Sequence, residues 1–172
     1  MDRRIIETKI ETKQEIIMNQ QYIFFTGFFG APVETAARSL ASEKQARFMD
    51  LDAEIQRMDG RSVRRICMMM GEHEYRNKEF EALSAIMKDS DSECTVVFCG
   101  DGVLLDEMCR DLILPHQLVI IGGDLSADKL WEQAQTMEDS CHAFMTMSDE
   151  TKKRAAFDDL YERQKQLFAP YL

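Results

Sequence analysis

Tyr22-Ile23-Phe24-Phe25-Thr26-Gly27, followed by Phe28-Phe29-Gly30-Ala31-Pro32-Val33-Glu34-Thr35, is the stretch from which the fold can be read. Its first half is a short β-rich apolar run that ends on a glycine. A helix is expected to follow from about Glu34 to Lys44, with Ala36, Ala37, Leu40 and Ala41 facing inward. The same rhythm recurs downstream. Arg47 to Met49 reads as a second strand ending at Asp50. Residues 53–70 read as two helical pieces parted by Gly60, with Ser62 as an N-cap. A helix over 72–88 carries Tyr75, Phe80, Leu83 and Ile86, and a strand from Thr95 to Cys99 stops at Gly100-Asp101-Gly102. Leu104 to Leu112 reads as helix and Leu118 to Ile121 as a further strand. Helices are expected from near Ser126, carrying Leu130 and Trp131, and over 150–168.

Continuous apolar strands, each followed by a helix, imply a short parallel sheet covered on both faces, a three-layer α/β/α domain. In such folds ligands sit at the carboxyl ends of the strands. That rule selects four places: Gly27–Thr35, Asp50–Asp52, Gly100–Gly102 and the segment after Ile121.

The chain has 172 residues, the usual size of one domain, and a net charge of -10. A surface of that sign repels phosphate backbones and anionic lipid, so neither nucleic acid nor a membrane is an expected partner. No apolar run is long enough to cross a bilayer, and residues 1–20 mix charge with isoleucine and do not resemble a signal peptide. The five cysteines are odd in number and lack C-x-x-C spacing, which fits reduced thiols in the cytoplasm. The three histidines make no metal-ligand spacing with them, which points away from a zinc site. Residues 1–20 stand apart as an arm. Ile6, Ile10 and Ile17 form a narrow helical stripe, suited to light docking or to a homodimer or protein partner. The main domain is then 21–172.

A strand, a glycine-containing loop and a helix are the setting of a Walker A loop, G-x-x-x-x-G-K-[ST]. Such a loop cradles phosphates with backbone N–H groups, neutralises them with its lysine and holds Mg²⁺ with its hydroxyl. Here Pro32 stands at the second glycine, Val33 at the lysine and Glu34 at the hydroxyl, beside Thr35. Proline removes a donor, valine removes the charge, and glutamate puts a negative charge where the helix N-terminus favours an anion. Together the changes oppose a polyphosphate by several kcal/mol, on the order of the worth of charged contacts. On this motif alone, a plain glycine-containing turn accounts for the stretch equally well.

The following residues supply more. Met49-Asp50-Leu51-Asp52, then Gly60-Arg61-Ser62-Val63, then Gly71-Glu72-His73-Glu74-Tyr75-Arg76-Asn77-Lys78-Glu79 resemble the shikimate kinase family. Its members follow the P-loop with D-x-D, G-x-S-[IV] and G-E-x-x-[FY]-R-x-x-E. The resemblance covers roughly Tyr22 to Phe168 and is most specific between Asp50 and Glu79. It implies a P-loop kinase-like fold and transfer of the γ-phosphoryl group of ATP to shikimate, giving ADP and 3-phosphoshikimate in aromatic amino acid biosynthesis. By the same resemblance, Asp52 would bind substrate hydroxyls and accept the proton, and Asp50 would lie near Mg²⁺. Arg76 and Arg163 would bind the shikimate carboxylate, as paired guanidinium groups do well.

The departures cluster. The family's Gly-Gly-Gly appears as Gly100-Asp101-Gly102, adding a negative charge beside a substrate carboxylate. The lid's Arg-Pro-Leu-Leu aligns with His142-Ala143-Phe144-Met145, and the adenine-side arginine falls at Gln133. The family's fifth strand has no counterpart before Leu172, which leaves Leu118 to Ile121 as an edge for the N-terminal arm to cover.

Plainer readings accompany these assignments. Arg76 and Glu79 also fit a surface pair at i and i+3, and Asp50 and Asp52 also fit helix caps. Arg163 also fits a solvated helix face, His142 a surface loop, and Met68-Met69-Met70 core filling. The expectation is a shikimate kinase-like protein with little or no ATP-dependent activity, binding no cofactor tightly and keeping a pocket for a small carboxylate. The alternatives are a weak but genuine shikimate kinase using ATP and Mg²⁺, or a non-catalytic regulatory subunit.

Overall fold

The computed structural model describes residues 21–89, 92–137 and 141–172. Four parallel strands, β1 (Gln21–Gly27), β2 (Arg47–Asp50), β3 (Cys94–Phe98) and β4 (Gln117–Ile121), make one sheet in the order β2-β3-β1-β4. Ile23 lies opposite both Val96 of β3 and Gln117 of β4, so β1 is an inner strand. Its apolar run follows from that position, because both faces are covered: Ile23 and Phe24 are fully buried.

The helices are α1 (Val33–Lys44), α2 (Leu51–Asp59), α3 (Val63–Met70), α4 (Glu72–Lys88), α5 (Glu107–Ile113), α6 (Ala127–Ala134) and α7 (Glu150–Phe168). Local chemistry sets their ends. The Asp50 carboxylate accepts from the N–H groups of Asp52 and Ala53 and caps α2, which ends at Gly60 with φ of 84°. The Ser62 hydroxyl caps α3 through the Arg65 N–H. Ala37 and Ala41 of α1 are buried, with Ala36 and Leu40 partly so.

Two expectations need correction. Residues 104–112 are not one helix: a 3-10 turn at Val103–Leu105 precedes α5, and the Asp106 carboxylate starts α5 by accepting from the Cys109 N–H. Nor do the three methionines fill the core. Met68, Met69 and Met70 are 77%, 63% and 47% exposed, because Val63 and Ile66 already take the inward face of the short α3. Among the described residues the sheet has no fifth strand, and β4 is one of its two edges. The arm expected to cover that edge, residues 1–20, lies outside the described residues. No helix among the described residues is long and apolar enough to cross a membrane.

Candidate functional site

The carboxyl ends of β1, β2 and β3 converge on the loop between β1 and α1. Two helices fix that loop from behind. Phe28 packs edge-on against Phe168 of α7, with ring centroids 5.1 Å apart. Gly30 has a φ of 93° and lies so close to the Leu130 carbonyl of α6 that a side chain at this position would collide with it.

The loop's hydrogen bonds run inward. The Phe28 N–H donates to the Ile121 carbonyl (3.0 Å), the Ala31 N–H to the Phe28 carbonyl (2.9 Å) and the Val33 N–H to the Ala31 carbonyl (2.8 Å). The Phe29 N–H donates to Oε1 of Gln164, a buried side chain on α7, at 3.0 Å. Pro32 has no N–H to give. Glu34 pairs with Arg38 at 2.8 Å. Four backbone donors of this loop, those of Phe28, Phe29, Ala31 and Val33, are thus engaged with the protein itself.

The residues singled out by sequence divide between two adjoining cavities. The larger, about 170 Å³, is lined by the loop from Phe28 to Thr35 together with Asp52, Tyr75, Gly100 and Cys141. The smaller, about 70 Å³, is lined by Glu72, Arg76, Gly102, Arg163, Gln164 and Leu167. Asp101 and His142 line both and stand as the partition between them. Asp50 is not among the lining residues of either, and one of its carboxylate oxygens is spent on capping α2.

In the larger cavity, the Tyr75 hydroxyl donates to the Asp52 carboxylate at 2.8 Å. Burial pushes the Asp52 carboxyl up to about 6, against the pull of that hydrogen bond and with the help of the Asp50 and Asp101 charges. A carboxyl tuned there can accept a proton near neutral pH.

Around the smaller cavity, Arg76 and Glu79 are no surface pair. Arg76 is 8% exposed and Glu79 fully buried, joined at 2.5 Å, with Glu72 at 3.0 Å as the second partner of Arg76. Burial by itself would weaken the guanidinium's hold on its proton, but the Glu79 and Glu72 carboxylates outweigh it and keep Arg76 charged. Gly102 leaves room here, because a side chain at this position would push the guanidinium aside. The Arg76 Nε and Glu79 Oε1 are buried without a hydrogen-bond partner, which leaves unmet demand beside the cavity. Arg163 is exposed, and its Nε donates to the Asp159 carbonyl at 3.3 Å. It lies on α7 one turn from Asp159, so its guanidinium reaches the cavity from the solvent side.

The partition joins two departures from the expected pattern. His142 Nε2 meets Asp101 Oδ2 at 2.8 Å, and the Gln164 amide donates to the same oxygen at 2.7 Å. The imidazole stands edge-on to the Phe29 ring, 4.6 Å away, and stacks on Phe144 at 5.5 Å. Asp101 is therefore not a bare charge intruding on a substrate, and His142 is not a free surface histidine. Burial acts to lower the His142 pKa, yet the Asp101 carboxylate raises it above the ordinary value. Burial likewise acts to raise Asp101, and His142 brings it below the ordinary value.

The sign of the pH dependence follows. The contribution of His142 is complete below its unfolded pKa of 6.5 and is lost as pH rises through its higher folded value. That of Asp101 is present above 3.8 and is lost as pH falls through its lower folded value. His142→Gln keeps a donor but not the charge. Wild type should melt above this variant at about pH 5.5 and lose that lead by about pH 9. A difference in melting temperature that does not change with pH would show that charge plays no part in the pair.

Sequence reasoning missed Gln164, Tyr75 and Cys141 as parts of the site. The family motif carries an aromatic residue at Tyr75, a usable signal. Gln164 offered none, because a glutamine in a charged helix reads as solvated until α7 is docked on the loop.

Comparison with known proteins adds an independent line. A family model described as "SKI: Shikimate kinase" matches residues 30–169. The chain is 30% identical over 146 residues to a shikimate kinase of Nitrosospira multiformis, covering 85% of this chain and 70% of that protein. It is 38% identical over 98 residues to a shikimate kinase of Chlorobaculum tepidum, spanning 50% of that protein's length. It is 29% identical over 149 residues to the bifunctional shikimate kinase/3-dehydroquinate synthase of Thermotoga maritima, spanning 28% of it. Among solved structures, shikimate kinase from Bacteroides thetaiotaomicron superposes with a TM-score of 0.73 at 17% identity, covering 87% of this chain and 82% of that one. Shikimate kinase from Acinetobacter baumannii in complex with shikimate gives 0.65 at 21%, covering 84% and 80%.

Proposed function

Starting from the fact that the chain belongs to the shikimate kinase family, we propose that it keeps the acceptor half of the family's site and has lost most of the nucleotide half. Its function is then to bind a small polyhydroxylated carboxylate of the shikimate type, with little or no ATP-dependent transfer. The observation that carries this reading is the loop before α1, whose N–H groups at Phe28, Phe29, Ala31 and Val33 are bonded inside the protein.

Members of the family use ATP and Mg²⁺, and the residues present here do not fit that pair. Val33 supplies no cation and Glu34 no hydroxyl. Burial raises the pKa of Asp50, and the Glu34 carboxylate adds to that rise.

The acceptor half is better furnished. Arg76 is preorganised by Glu79, and Glu72, whose side chain is 68% exposed, is the partner that an incoming carboxylate displaces. Arg163 lines the same cavity, and Asp52 offers an acceptor for hydroxyls across the partition. A second reading, a weak but genuine shikimate kinase, draws on Asp52 alone, whose pKa of about 6 suits a general base.

Calorimetric titration with shikimate and, separately, with ATP–Mg²⁺ tests both readings. Shikimate is expected to bind, and Arg76→Met to weaken it at least tenfold, about 1.4 kcal/mol. ATP–Mg²⁺ is expected to bind no tighter than about millimolar, worth about 4 kcal/mol. Micromolar ATP binding favours the second reading. Absence of shikimate binding removes the acceptor pocket from the proposal.

A further inference from the structure

The substitutions that removed the phosphate-binding cations also brought softer donors together. Asp101 follows β3, while Cys141 and His142 are adjacent in the segment leading into the 3-10 turn Ala143–Thr146. A carboxylate oxygen, a thiol sulfur and an imidazole nitrogen from these residues all lie within 4.8 Å of one another. Tetrahedral zinc with bonds of about 2.0–2.3 Å to N, O and S holds its ligand atoms roughly 3.3–3.8 Å apart. Closing the triad to that spacing takes side-chain adjustment of about an ångström.

We propose that Asp101, Cys141 and His142 form a binding site for a thiophilic divalent cation, zinc in particular. Cys67 on α3 lies outside that cluster, but its thiol acts on that of Cys141, and a side-chain turn would bring it to the ion as a fourth donor. Aspartate, histidine and two thiols are a donor set that selects zinc over magnesium, which prefers six hard oxygen ligands.

The surroundings favour a cation. Asp52 and Glu72 act on these donors with negative charge, opposed by Arg76. The carboxylates that oppose a polyphosphate in this cavity attract a metal. The site is also partly enclosed: the Asp101 and His142 side chains are each 17% exposed, and Cys67 and Cys141 are half-buried. Both Asp101 and His142 face the larger cavity beside Cys141, so a bound ion is reachable from it.

Zinc at this point ties the segment after α6 to the end of β3 and to α3. It replaces the 2.8 Å His142–Asp101 hydrogen bond by two bonds to one ion. The partition between the two cavities then becomes a fixed wall. Binding releases the thiol protons of Cys141 and Cys67, because the thiolate is the ligand. The lack of metal-like spacing in the sequence is no obstacle, since the fold, not the spacing, assembles the donors.

The test uses the full chain, reduced with a phosphine and stripped with a chelator. Zinc chloride titrated by calorimetry should bind at one equivalent with a dissociation constant of a micromolar or tighter, where affinity is worth about 8 kcal/mol. Cobalt(II) chloride added to wild type should give a thiolate-to-cobalt charge-transfer band and the visible bands of a tetrahedral ion. Cys141→Ser should weaken zinc at least 100-fold and abolish or halve the charge-transfer band, and Cys67→Ser should reduce it. The cobalt spectrum needs no variant, so the proposal can be tested even if a substitution impairs folding. Millimolar zinc binding, a cobalt spectrum without charge transfer, or micromolar binding unchanged in Cys141→Ser each overturns it.

Discussion

Restoring the loop with Pro32→Gly, Val33→Lys and Glu34→Ser is expected to tighten ATP–Mg²⁺ binding at least tenfold while leaving turnover far below an ordinary kinase. The gain comes from three sources. The lysine returns a positive charge, and charged hydrogen bonds are worth about 1.5–3 kcal/mol each. The serine removes a carboxylate from the first turn of α1, where the helix end otherwise favours an anion. The glycine returns an N–H donor and frees φ.

The gain is limited by what the substitutions leave untouched. The Phe29 N–H stays bound to Gln164, and Gly30 stays pressed against Leu130. His142 is hydrogen-bonded to Asp101 and packed edge-on against Phe29, so it brings no guanidinium to the loop. Phosphoryl transfer depends almost wholly on positioned positive charge. Calorimetry with ATP–Mg²⁺ and a coupled assay with shikimate separate the two effects. If the triple variant alone reached about 1–100 s⁻¹, the half-site formed by Asp101, His142 and Gln164 would not be the obstacle described here.

The comparison of sequence with structure explains which parts of this site were legible. The helix α4, Glu72–Lys88, was read to the residue, because a capping glycine precedes it and its apolar spacing is regular. The parallel, two-sided burial of the sheet followed from strands such as β1 that show no polar alternation. Local chemistry also gave Asp50 as a cap and Ser62 as another. What stayed hidden depends on contacts between distant segments. Asp101 and His142 are 41 residues apart, and each was read as a loss when considered alone. Placed together they neutralise one another, which no single position reveals. Gln164 lies 135 residues from the loop it restrains. The break at Asp106 failed for the opposite reason. An aspartate inside an apolar stretch fits a solvated helix position as well as a cap, and only the Cys109 N–H decides between them.

Glu79→Ala is expected to destabilise the protein by about 3–5 kcal/mol, the usual cost of removing one partner from a buried ion pair. Arg76 is 8% exposed, and its remaining carboxylate partner, Glu72, is a mostly exposed side chain. Without Glu79 the guanidinium stays charged, since it does not give up its proton in proteins. It then sits in a dry site with Nε still unpartnered. Whole domains are stable by only about 5–15 kcal/mol, so this single change consumes a large share. For a chain of this size each kcal/mol shifts the melting temperature by about 2–4 °C, which gives a fall of roughly 6–20 °C. Glu79→Gln keeps a hydrogen-bond acceptor for Arg76 and should fall less. The double variant Arg76→Leu with Glu79→Leu replaces both charges by apolar groups of similar size and should recover much of the loss. It should also abolish shikimate binding, because the carboxylate then meets only Arg163. A thermal melt of the three variants separates the outcomes. If Glu79→Ala melts within a degree or two of wild type, the pair is hydrated and its carboxylate is not what holds Arg76 in place.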